Sequence, residues 1–194
     1  MPKPSSDLPE LLFKDKKAWS AWLARNHAKS PGVWLKLAKK GSDTKSVSYQ
    51  EALEAALCYG WIDGQKQAFD ESFWLQKLTP RGPRSIWSKI NREKAEALIA
   101  SGEMKPAGLA AIERAKENGQ WEKAYESQSR ASVPDDLQAE LDRHPEAKAF
   151  FATLNSVNRY AIVFRIHNAK KPETRAKRIQ QFVAMLERHE KVHP

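Results

Sequence analysis

Residues 73–93 read FWLQKLTPRGPRSIWSKINRE. Arg81 and Arg84 bracket a Gly-Pro pair, and Ser85, Ser88 and Asn91 follow with hydroxyl and amide groups. If a helix starts at Ser85, its free backbone amides favour an anion, and the two arginines stand beside them. Trp87 adds an aromatic wall. Between Lys77 and Lys94 six basic residues meet one acid, Glu93. A phosphate or carboxylate is one ligand for this elbow. The other reading is a corner stiffened by two prolines, whose arginines clamp carboxylates of neighbouring elements.

Asp63 in WIDGQ raises a related question. On a strand, side chains alternate between faces, so Asp63 shares a face with Trp61, Gln65, Gln67 and Phe69. Ile62, Gly64, Lys66 and Ala68 take the other. A carboxylate beside an indole could serve as an acid or base. The expected role is a structural ion pair with Arg81 or Arg84. Trp61, Asp63, Lys66, Arg81, Arg84, Ser85, Trp87, Ser88 and Asn91 are thus the candidate ligand or partner residues.

Other chemistry is weaker. HEKVH at 189–193 matches the H-E-x-x-H spacing of a zinc hydrolase, but it ends one residue before the chain does, where a last helical turn frays. No metal and no cofactor is expected. Cys58 sits in AALCYG among apolar neighbours, which suits a buried thiol rather than a nucleophile. No Gly-rich phosphate loop and no G-x-S-x-G elbow is present, so no catalytic residue is assigned and an enzyme is not the expected class.

A second basic run lies in 155–178, with seven Lys or Arg against Glu173. Lys171, Arg175 and Arg178 recur at i, i+4 and i+7, one stripe of a helix, while Ile179, Phe182, Val183 and Leu186 form an apolar stripe. Tyr160, Val163, Phe164 and His167 give the preceding helix a similar face. Packed amphipathic helices with solvated basic backs explain this, and so does an anionic or partner surface.

The chain has 194 residues, 41% hydrophobic and 29% charged, with a net charge of +9. That balance favours acidic partners. One cysteine excludes an internal disulfide. The start MPKPSSDLPELLF lacks a secretory h-region, and no apolar run approaches a membrane span, so a cytoplasmic location is expected.

The elements that must position these residues follow from periodicity. Residues 1–14 read as a flexible arm and 15–28 as a helix. GVWLKLAKK alternates as a strand. Ser48-Tyr49-Gln50-Glu51 is a capping box opening a helix that stops at Gly60. Runs 61–69 and 73–79 form an antiparallel hairpin. Helices are expected from Ser85 to about Gly102 and from Pro106 to Gly119. A linker spans 119–133, and helices cover 134–142, 145–154, 157–169 and 172–190. The class is α+β: a small antiparallel β-sheet with helices over 15–118, then a helical C-terminal region over 134–194.

CYGWIDGQ, LTPRGPRSIWSKIN and NRYAIVFRIHNAKKPETRAKRI resemble the YdeI/OmpD-associated, or bacteriocin-protection, family, and the likeness runs from about residue 15 to 188. It marks Trp61, Asp63, Gly64, Pro80, Arg81, Arg84, Ser85, Trp87, Ser88 and Asn91 as a shared block. It implies soluble bacterial proteins of antimicrobial-peptide stress resistance with a porin-associated protein partner, and no defined reaction. The family's Y-x-x-W-I-like run departs here, where Val163, Phe164 and Arg165 follow Tyr160. The function expected is therefore a non-enzymatic binding protein acting through protein or small anionic-ligand contacts. Nucleic-acid binding through the basic clusters, or an enzyme on a small anionic substrate, is the alternative.

Overall fold

The computed structural model describes residues 8–127 and 130–194. It divides into two compact units, Met1–Trp87 with Asn91–Ala124, and Ser88–Ile90 with Tyr125–Pro194.

The first unit is built on a four-stranded sheet: β1 (Glu10–Leu12), β2 (Val33–Ala38), β3 (Trp61–Ala68) and β4 (Phe73–Pro80), in the order β1-β2-β4-β3. The alternation of β2 is obeyed: Val33, Leu35 and Leu37 are buried, while Trp34, Lys36 and Ala38 are half-buried on the opposite face. The hairpin β3–β4 forms as expected, its turn held by the Asp70 carboxylate, which accepts from the Ser72 and Phe73 amides at 2.8 and 2.7 Å. β2, β4 and β3 are antiparallel. β1 joins β2 in parallel, with Glu10 opposite Trp34. The residues expected as an arm thus include a strand. Three residues are too short for alternation to show, and the partner strand supplies the order. Residues 1–7 of that arm lie outside the described residues.

α1 (Lys16–Asn26) and α2 (Tyr49–Cys58) cover one sheet face. Asp15 caps α1, accepting from Ala18 N at 2.8 Å. At α2 the capping box forms in full, with Ser48 and Glu51 satisfying each other's backbone amides. Burying Trp19, Leu23, Val33, Leu35, Leu37, Val47, Trp61 and Leu78 makes the main core. A fully buried side chain of this size contributes about 2–3 kcal/mol by area. A second cluster joins α2 to α3 (Lys89–Ala100) and α4 (Pro106–Glu117) through Leu57, Trp87, Leu98, Ile112 and Trp121.

The second unit holds α5 (Asp135–Arg143), α6 (Pro145–Thr153), α7 (Ser156–His167) and α8 (Pro172–Glu187) around Leu137, Leu141, Phe151, Ile162, Ile166 and Leu186. Pro145 and Pro172 stand in the first turn of α6 and α8, where a missing amide costs nothing. Pro134 caps α5. Among the described residues no helix is long and apolar enough to cross a membrane.

Candidate functional site

The elbow turns inward. Arg81 is 7% exposed, its guanidinium stacked 3.5 Å from the centre of the Trp87 ring and donating to the Ile86 carbonyl at 3.2 Å. Such a cation–π contact in a desolvated place is worth about 2 kcal/mol. Trp87 meets Trp121 edge-on at 4.8 Å and belongs to the core. Ser85 does not cap a helix. Its amide donates to Gly82 O at 3.0 Å and its hydroxyl accepts from Gly82 N at 3.0 Å, so the side chain is spent closing a turn. α3 starts at Lys89 instead. Residues 85–87 carry no regular secondary structure, and Trp87 is buried just before the helix begins. Arg84 remains exposed at the turn. Ser88 bridges Tyr125 and groups with the second unit, while Asn91 stays in the first.

Asp63 does not pair with an arginine. Its carboxylate accepts from the Tyr49 hydroxyl at 2.7 Å and from the Asn91 amide at 3.5 Å. Trp61, on the same strand, is 1% exposed and donates its indole N–H to His27 O at 3.1 Å. It meets Trp19 and Trp22 edge-on. The alternation expected along β3 breaks between Asp63 and Lys66, where a bulge shifts the register. Lys66 then faces the same side as Asp63 and Trp61, exposed beside Lys39 and Trp74.

The C-terminal stripe divides. Arg175 is clamped by Asp136 through two bonds of 2.6 and 2.8 Å and donates to Ile166 O at 3.1 Å. Arg178 donates to the Arg165 carbonyl. Lys171 precedes α8 and is exposed. HEKVH is not helical: α8 ends at Glu187, and His189 has φ +56°. Its two imidazoles are therefore not set one turn apart. The Cys58 thiol is buried, and burial pushes its pKa up, away from a nucleophilic thiolate.

A concave aromatic site lies elsewhere, inside the second unit. A cavity of about 260 Å³ is lined by Tyr125, Tyr160, Phe164, Lys89, His167 and Arg175, together with Glu126 and the 131–134 segment. Phe164 stands edge-on to Tyr125 at 4.9 Å and tilts against Tyr160 at 5.6 Å. The chain enters through a short parallel bridge: Ser88 pairs Tyr125, and Lys89 N donates to Tyr125 O at 2.9 Å. That bridge brings the Lys89 ammonium to within 2.5 Å of the Glu126 carboxylate. The Tyr160 hydroxyl donates to Glu126 O at 3.0 Å. Burial, reinforced by Tyr125, pushes the Tyr160 phenol up to about 12. It stays protonated at neutral pH, a fixed donor rather than a base. The α7 stripe Tyr160, Val163, Phe164 and His167 was legible as a face; that all four line a cavity was not. Tyr125 lay in a segment read only as linker. Val163 and Phe164 both form part of the wall of this cavity.

Residues 11–111 match the family model described as a domain of unknown function, DUF8412. Residues 130–189 match the model described as bacteriocin-protection, YdeI or OmpD-associated. No curated protein and no solved structure matches the chain. Most of the cavity lining falls within the second match. The chain belongs to the DUF8412 family across its sheet-bearing part, and its residues 130–189 form a domain of the bacteriocin-protection, YdeI or OmpD-associated type.

Proposed function

We propose that this chain is a non-enzymatic binding protein of the bacteriocin-protection class, and that its ligand site is the aromatic cavity of the helical unit. The observation that carries this is the lining itself. Three aromatic rings form the walls, and Lys89, His167 and Arg175 stand with them. Concave, mostly apolar sites with a few placed polar groups are where small ligands bind. The volume, about 260 Å³, lies just under the range of drug-sized sites and suits one ring or a short chain. Lys89 and Arg175 already hold Glu126 and Asp136, so a carboxylate or phosphate on that ring would share these pairs, carried by a small molecule or by a side chain or terminus of a protein partner. A porin-associated partner, as the family description suggests, would engage the same cavity through such a group. Tyr160 stays protonated and Glu126 is already paired with Lys89, so neither of these two stands ready as a general base, which favours binding over turnover. A cytoplasmic location is part of this proposal.

The test is a thermal-shift series with benzoate, phenylacetate and phenyl phosphate. A ligand that binds only the folded chain raises Tm by mass action. The expected result is a rise with at least one of them, lost in Phe164→Ala and unaltered in Arg84→Ala, with the ligand recovered intact. No rise with any of the three, or a rise lost in Arg84→Ala instead, overturns the assignment.

A further inference from the structure

The sheet has a second face, opposite the one packed by α1 and α2. Pairing sets its occupants. Trp34 lies opposite Lys77, Lys36 opposite Leu75, and Ala38 opposite Phe73. Side chains directly opposite one another in a ladder share a face. These residues alternate with the buried Val33, Leu35 and Leu37, so they point away from the main core. Leu75 is 3% exposed yet belongs to none of the three hydrophobic clusters. Its ladder partners are Lys36 and Gln67.

Neighbours on this face alternate rings and ammonium groups. The Lys36 ammonium sits 4.2 Å from the centre of the Phe69 ring, and the Lys77 ammonium 5.8 Å from that of Trp34. Phe69 is 43% exposed. Lys36 also pairs with Glu10 at 3.1 Å, at the β1 side. Among the described residues Lys77 has no carboxylate partner. The rings offer flat apolar surfaces, and each has an ammonium over one face, so a base stacking there displaces the ammonium toward its phosphate. A duplex hides its base faces and cannot use such rings, whereas a single strand can stack on them. The chain's net charge of +9 has the matching sign.

We infer that the outer face of this sheet, with Trp34 and Phe69 as stacking rings and Lys36 and Lys77 as phosphate contacts, binds single-stranded nucleic acid. The site is separate from the helical-unit cavity, and of the two basic runs of the sequence it uses only Lys77, the first residue of the earlier one. Affinity comes from ring stacking and counterion release, and neither reads sequence strongly.

The experiment is fluorescence anisotropy of a short labelled oligothymidylate with the full chain, at salt concentrations from low to physiological. Phe69→Ala, at an exposed ring, and Lys77→Gln are compared with the parent after circular dichroism shows that both are folded. The expected result is binding at low salt. Phe69→Ala weakens it about fivefold or more, the loss of one stacked base. Lys77→Gln flattens the log K against log salt slope by about 0.7, one phosphate contact on a single strand. No binding at low salt overturns the inference. So does binding that both variants retain at full strength, and so does equal affinity for a duplex of the same length.

Discussion

The Arg81 guanidinium lies 3.5 Å from the centre of the Trp87 ring, and that one contact decides what the elbow is. An arginine stacked on a core tryptophan is an internal part, whatever charge the sequence shows around it. Residue types announced the chemistry of LTPRGPRSIWSKIN well, but the direction of each side chain is set by burial. Trp87 is buried in the core, and Arg81 is buried against it. Asp63 carries the same lesson in reverse. An arginine partner was expected on charge, while a tyrosine hydroxyl and an asparagine amide took the carboxylate. Distance along the chain does not reveal which donors the fold brings near. In the helical unit Arg175 holds the Asp136 carboxylate below the usual range, chiefly through its hydrogen bonds. A depressed carboxylate stabilises the fold above its unfolded pKa, and that stability is lost as pH falls through the folded value. Asp136→Asn is therefore expected to be less stable than the parent at neutral pH, with the gap closing as pH drops below about 4. Urea unfolding of both proteins across that range reads the gap. A constant gap would mean that the Asp136–Arg175 pair does not carry it.

At the scale of elements, most of the order was legible. The hairpin, the α2 capping box and the proline-led helices α6 and α8 were read from two local rules, periodicity and terminal chemistry. β1 was not legible, because a three-residue parallel edge strand owes its structure to β2 rather than to its own pattern. The start of α3 was misplaced because two local signals competed and a tertiary contact chose between them. The β3 bulge escaped for the same reason, since alternation alone carries no sign of an inserted residue. The approach of α4 to α2 is a further feature that local rules do not show. Gly108 packs under the C-terminal carbonyls of α2, and a Cβ there would lie 2.8 Å from Leu57 O and closer still to Cys58 O and the Met104 sulfur. Two of those atoms are backbone and cannot move aside. Gly108→Ala would raise helix propensity on a surface by about 1 kcal/mol. Here it is expected to destabilise by about 1–3 kcal/mol, the usual cost of overpacking. Urea unfolding of the variant measures it, and a stabilised variant would contradict the close approach.

At the scale of the molecule, the described residues form three apolar clusters. Two lie in the sheet-bearing unit and one among α5–α8. The family matches divide along similar lines, 11–111 and 130–189. The residues that look most reactive in the sequence mostly lie in the first unit, where folding consumes them. The cavity in the second unit is made by residues that read as ordinary packing: two tyrosines, a phenylalanine and a lysine already paired with a glutamate. A cavity is a property of several helices at once, so no local pattern announces it. The most direct measurement is an amide NMR titration of the full chain with phenylacetate. The expected result is a set of saturable shifts at Lys89, Tyr125, Glu126, 131–132 and 160–167, absent in Phe164→Ala. Shifts centred on Gly82–Ser85 instead, or none in any amide of the cavity wall, would contradict the placement of the binding site.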